Sequence, residues 1–297
     1  LSRVSIIAVV GVALGVMVLD LTLSIMNGFH AELRRTFVET MPMITVATSA
    51  PEGFRDLAGA LATVEADPEV AGAAPYVRQE VIVTRPRGLG PAVNRGAIAW
   101  GIDPARIDAV QPFSAQLVPG PAALAELGRA GAPRILLGLE LGMQLLSAIG
   151  DTVLVTAPRA DASLDRIEGQ TRRFVVAGYL DSGMYEFDSR FAYVDLGVAR
   201  EFFGYADRGA GLLGVRVHDM MRAGVVAGRL EATLGGAFHA TDWMALNQNL
   251  FRWIRLEKVM MGVLLALIVL IASFNIIGIL TMMVGERNRE IGILLAM

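Results

Sequence analysis

A chain of 297 residues has room for two ordinary domains, or for one domain with membrane segments, and a mean hydropathy of +0.52 favours the second. A formal charge of −3 argues against a nucleic-acid binder that must neutralise many phosphates. With no cysteine, disulfides, thiolate nucleophiles and cysteine-ligated metal or iron–sulfur centres are excluded too.

Residues 4–26 carry a single charge, Asp20, and are long enough as a helix to cross a ~30 Å hydrocarbon core, which needs about 20 residues. Asp20 falls near the far end, where a carboxylate reaches water. A cleavable signal peptide would have a shorter apolar region and a small-x-small site, whereas Asn27-Gly28-Phe29 follows here. Gly11 and Gly15 stand at GxxxG spacing, which lets a second helix approach closely; glycine is also simply common in membrane helices. Phe29, Leu33 and Phe37 recur at i, i+4 and i+8, so the helix is expected to continue as an amphipathic stalk over 27–40.

The next stretch alternates between strand and helix periods. Strands are expected at 43–48, 76–84, 97–102, 151–156, 172–180, 191–194 and 213–217, with a strand then a helix over 135–147. Helices are expected at 54–64 and 220–234. Prolines at 104, 112, 119 and 121 mark a change of subdomain. Without a strict βαβ repeat, the pattern reads as α+β. Its first and last parts, 41–103 and 210–241, are expected to form one subdomain, with 104–209 inserted as a second. Asp242 is a candidate N-cap for a second stalk over 242–257, where Leu246, Leu250 and Ile254 repeat at four-residue intervals.

Residues 259–284 form a second candidate span with no charge. Asn275 and Gly278, with Ser273, give it a small or polar stripe suited to packing against another helix. Two spans would place both chain ends on one side of the membrane and the 27–257 domain on the other. Flanking charges do not fix the direction, because arginines crowd both sides of each span. Residues 285–297 end within an apolar periodic run, and both ends read as cut from a longer polypeptide. The two stalks suit either levers or plain amphipathic packing.

The search for chemistry returns little. No Gly-Lys pair exists, so ATP binding by a P-loop is excluded. Gly209-Ala210-Gly211-Leu212-Leu213-Gly214 matches G-x-G-x-x-G but leads into a strand rather than a helix, so a turn is expected. His30, His218 and His239 stand apart from one another. Asp181, Glu186 and Asp188 flank Ser182-Gly183 and read as a solvated loop tip before a cation site. No nucleophile elbow occurs, so neither catalytic residue, metal nor cofactor is expected.

Three stretches resemble the LolC/LolE permeases of the lipoprotein-releasing ABC system. They are Leu23-Ser24-Ile25-Met26-Asn27-Gly28-Phe29 with Glu32-Leu33; Glu257-Lys258 through Phe274-Asn275-Ile276; and Glu286-Arg287-Asn288-Arg289-Glu290-Ile291-Gly292-Ile293-Leu294, which is shared with MacB- and FtsX-type permeases. Leu137-Gly138-Leu139-Glu140-Leu141 with Gly150-Asp151-Thr152-Val153 resembles a central family segment. The resemblance implies cytoplasmic termini at the bacterial inner membrane and a MacB-type periplasmic domain. It implies an ABC ATPase subunit as partner, contacted by Glu286, Arg287, Arg289, Glu290, Ile291 and Leu294. It further implies a second permease subunit (a paralogue or a copy), a lipoprotein substrate, membrane lipid, and a periplasmic carrier engaged by a hook at 158–171, with Pro158, Arg159, Leu164 and Ile167 as candidate contacts. The alternatives are a MacB- or FtsX-like mechanotransmission permease and, in another class, a two-span extracytoplasmic ligand sensor.

Overall fold

The computed structural model describes residues 3–48, 53–54, 56–86, 92–158, 169–205 and 209–296. They fall into two compact units, one of Leu1–Leu33 with Asn247–Met297 and one of Arg34–Leu246. In chain order the elements are α1 (Arg3–Thr40), β1 (Ile44–Thr48), α2 (Leu57–Glu65), β2 (Val70–Arg85), β3 (Val93–Ile102) and α3 (Ile107–Val110). Then come β4 (Leu117–Val118), α4 (Ala122–Leu127), β5 (Arg134–Gly138), α5 (Leu139–Leu145), β6 (Thr152–Pro158) and β7 (Gly169–Leu180). The last are α6 (Tyr185–Asp188), β8 (Phe191–Asp195), α7 (Leu196–Phe203), β9 (Leu212–Val217), α8 (Ala223–Leu234), β10 (Phe238–Asp242), α9 (Trp243–Leu246) and α10 (Gln248–Ala296).

The first unit is built from the two long helices. In α10 the stretch Phe251–Met282 is long and apolar enough to cross a bilayer; α1 has a shorter apolar stretch, Ala13–Phe29, among its described residues. Their apolar side chains stand outward: Leu21 is 60% exposed, Val263 63% and Phe274 66%. Such a face is stable against hydrocarbon and costly against water. Thr22, Ser273 and Thr281 donate their hydroxyls to the carbonyls four residues back, at 2.8, 2.8 and 2.7 Å, so these polar groups are satisfied within their own helices.

In the second unit, hydrogen-bonded neighbours run β2–β3–β8–β5–β7–β6 and return to β2, so these six strands close into a barrel. The β3–β8 and β5–β7 pairs are parallel and the others in the ring antiparallel. Strand alternation sends every second residue inward. Val83, Ala99, Leu137, Val155, Phe174 and Val194, one from each strand, meet in a single core, joined by Leu141 and Leu145 of α5 and Phe202 of α7. Each large side chain buried this way contributes about 1.5–3 kcal/mol. On the outer side a second core packs Tyr76, Phe113, Leu136 and Tyr193 beneath α3 and α4, with Phe113 and Tyr193 edge to face at 4.8 Å.

β2 is the longest strand and changes partner along its length. Its first half pairs with β9, which continues to β1 and β10; Ile82–Thr84 pair with β6; and Tyr76–Arg85 pair with β3 throughout. The sequence places its start at residue 76, but pairing with β9 extends it back to Val70 despite weak strand formers at 72–75. The helix expected from 220 is a 3₁₀ turn, Met220–Arg222, followed by α8. The second stalk is interrupted at Asn247; Asp242 does cap α9, accepting from Met244 N at 2.8 Å and Ala245 N at 3.1 Å. The G-x-G-x-x-G stretch leads into β9, as a turn should. Gly209 has φ +68, and a Cβ there would lie 2.4 Å from the Phe54 carbonyl oxygen.

One ion pair gives the domain a definite acid response. Arg229 grips Asp67 at two points, Nε–Oδ2 2.6 Å and Nη2–Oδ1 2.9 Å, and reaches Glu69 at 3.2 Å. Hydrogen bonding from Arg229 holds the Asp67 carboxyl below its ordinary value of 3.8, against the opposing effect of burial. A depressed folded pKa stabilises above the ordinary value, and that stability is lost as pH falls through the lowered one. Arg229→Gln should therefore melt with a shallower pH dependence than wild type from about pH 5 to about pH 2. An unchanged slope would refute the assignment.

Candidate functional site

A niche of about 220 Å³ lies between α1 and α10, lined by Leu23, Met26 and Asn27 on one helix and Glu257, Lys258, Met261, Gly262 and Leu265 on the other. Spacings of three and four put each set on one helix face. Gly262 leaves open space where a side chain would stand. The niche is apolar at Leu23, Met261 and Leu265, with Glu257 and Lys258, the chain's only lysine, at its charged end. These residues belong to the first two stretches that carry the family resemblance. Pairing them required the fold, because they come from opposite ends of the chain.

The expected helix-packing residues are not all equivalent. A Cβ on Gly15 would meet Ile268 Cγ2 at 3.9 Å, whereas Gly11 and Gly278 face open space. Asn275 lies within α10, its side chain outside the described residues. Glu286, Arg287, Arg289, Glu290, Ile291 and Leu294 all lie on the last turns of α10. Their backbone is helical, which sets Arg287, Glu290 and Leu294 along one face by spacing. Of the candidate hook, Pro158 is the last residue of β6 and pairs with Gly169. Arg159, Leu164 and Ile167 lie outside the described residues.

The acidic loop tip is a structural staple. Asp188 is 6% exposed and its Oδ1 accepts from Ser182 N at 3.1 Å and Ser182 Oγ at 2.8 Å. Asp181 accepts from Gly183 N at 3.3 Å. Burial raises the Asp188 pKa above the ordinary carboxylate value, only partly offset by these hydrogen bonds. Among the described residues no group of three or more acidic or histidine side chains could hold a metal ion. His239 lies 3.5 Å from Glu231, and the His218 backbone N–H donates to Glu69 O. The central motif has a packing explanation. A Cβ on Gly138 would lie 2.2 Å from the Asp188 carbonyl oxygen, so the β5–α5 turn tolerates no side chain where it meets α6.

The fold belongs to the class of the MacB-like periplasmic core domain, whose family profile matches residues 5–233. The lipoprotein-releasing system transmembrane protein LolC of Xylella fastidiosa (strain 9a5c) is 34% identical over 297 residues, covering 99% of this chain and 68% of that protein. LolC of Neisseria meningitidis serogroup B (strain MC58) is 28% identical, covering 99% and 69%. The periplasmic region of MacB from Actinobacillus actinomycetemcomitans superposes with a TM-score of 0.44 at 13% identity, covering 72% of this chain and 94% of that one. The chain belongs to the LolC/LolE type of MacB-like permeases.

Proposed function

We propose that this chain is the non-catalytic permease subunit of an ABC transporter that extracts lipoproteins from the bacterial inner membrane, driven by a separate ATPase subunit. The observation that carries this reading is relatedness over the whole length: 34% identity across 99% of the chain, including both long helices and the domain between them.

In this reading 4–26 and 259–284 are membrane spans and 27–257 is periplasmic, its porter-like part (41–103 and 210–241) and inserted part (104–209) meeting in the barrel that β2 and β3 form with β5–β8 rather than standing as separate bodies. The stalks are 27–40 and 242–257, and 285–297 is the coupling element resting on the ATPase. A second permease subunit completes the membrane pathway. The α1–α10 niche receives cargo lipid: its aliphatic part suits acyl carbons, and Lys258 suits the acidic groups of neighbouring lipid. The 158–171 segment is the surface offered to a soluble periplasmic carrier. Removing an acyl chain from the bilayer costs about 0.8 kcal/mol per CH₂, so nucleotide energy is required.

The test is purification of the whole transporter from membranes. It should retain diacylated or triacylated protein, and ATP should discharge that protein to a soluble acceptor. A complex that holds no lipid-modified protein in either nucleotide state would favour a mechanotransmission permease and sink this reading.

A further inference from the structure

Outward positions on the barrel should be polar, yet one patch of its outer face is not. Across β3, β2, β6 and β7 a cavity of about 600 Å³ opens over Ile82, Gly96, Ile98, Pro158 and Gly169. That volume falls in the ordinary range for small-molecule sites, roughly 300–1,000 Å³. Four adjacent strands give it a length of about 14 Å at the usual strand spacing. Ile82 sits at its centre and is 50% exposed in the middle of a strand.

The floor is clear of a side chain at Gly96, and its strands are already hydrogen-bonded to one another. Gly96 is the direct cross-strand partner of Ile82, and nothing lies within 4 Å of where its Cβ would be. Glycine weakens a strand interior, and no packing among the described residues requires it here. Ile82 is also paired on both sides, with Gly96 and with Thr156, and the Thr156 hydroxyl is engaged with that of Thr171 at 2.9 Å. A floor whose polar groups are already satisfied suits a ligand that makes no polar demands. Two charged side chains, Glu80 and Arg190, also line it, Glu80 as the cross-strand partner of Ile98.

We propose that this trough is a binding site for a single acyl chain, lying at the β6–β7 root of the candidate carrier hook. The inference rests on the lipoprotein-release reading and adds to it a resting place outside the membrane spans. An extended peptide is the poorer match, because it would need free backbone groups to pair with.

The chain has no cysteine of its own, so Ile82→Cys gives a unique attachment point for a benzophenone maleimide. The labelled chain is assembled with its ATPase and partner permease in vesicles, with tritium on the lipoprotein acyl chains and deuterium on the phospholipid chains. Irradiation during ATP turnover should give adducts on acyl carbon. Tritiated adducts support the site and identify cargo as the source; deuterated ones support it and identify the bilayer. Adducts on cargo peptide alone, or none, overturn the proposal. Gly96→Leu, whose added Cβ meets no described neighbour and whose aliphatic end would occupy the trough, should slow lipoprotein transfer at least tenfold without lowering the melting temperature. Transfer at the wild-type rate by that variant would also overturn it. If the unmodified transporter releases no lipoprotein, the release reading fails; if it releases lipoprotein and these signals are absent, only the trough fails.

Discussion

Reversing two charges at the end of α10, Arg287→Glu with Arg289→Glu, should abolish co-purification of the ATPase subunit. Both positions lie beyond the apolar stretch Phe251–Met282, on backbone that remains helical to Ala296. A helix presenting alternating charges beside Ile291 and Leu294 is suited to lie in a partner's groove, with apolar residues supplying area and arginines fixing register. Breaking one hydrogen-bonded interfacial charge pair costs about 2–5 kcal/mol, and reversal adds repulsion. Two such losses correspond to at least a ~10³-fold fall in affinity, enough to empty the complex at ordinary concentrations. Arginines beside a span also bias its orientation, so protease accessibility of the 34–246 unit must be measured on the same variant. Retained topology with lost ATPase is the expected pair of results. An ATPase that still co-purifies removes the coupling role from these residues.

Gly138→Ala should be nearly as damaging, by a different route. The added methyl would sit 2.2 Å from the Asp188 carbonyl oxygen and 2.8 Å from its Cα, and both are backbone atoms held by α6. Asp188 cannot retreat cheaply, since its buried carboxylate anchors Ser182 on the same loop. Overpacking costs about 1–3 kcal/mol, and a clash with backbone that cannot move puts this case near 3 kcal/mol. For a domain of this size that is a fall of roughly 6–12 °C in melting temperature. Circular dichroism melts of the membrane-extracted chain would show it, and a shift under about 2 °C would mean that the turn is looser than the geometry implies.

Much of this fold was legible because its strands are short, branched and bounded by turn residues. The expected 43–48, 151–156, 191–194 and 213–217 strands lie within a residue or two of β1, β6, β8 and β9. What escaped notice has identifiable reasons. β10 reads Phe-His-Ala-Thr-Asp, too short and polar to declare itself, and becomes a strand by pairing with β1 along its full length. α7 follows β8 without a gap, so its signals (the Asp195 cap and the terminal Gly204 with φ +76) were hidden behind the strand. Closure of the barrel was invisible, because it depends on a three-residue seam between β2 and β6. The site divides in the same way. The helical course of 259–284 and 285–296 follows local pattern, and both stretches lie within α10. The niche joining Leu23 to Met261 and the trough around Gly96 arise only when distant segments meet, and no window along the chain contains them.

The shared membership of β2 has a mechanical meaning. One strand serves the β9, β3 and β6 ladders in turn, so its backbone runs unbroken from the β9–β1–β10 arm into the barrel. A pull on that arm therefore reaches the barrel through a continuous strand as well as through side-chain contacts. Amide protons along 76–84 should be the last to exchange, surviving until the whole domain opens at once.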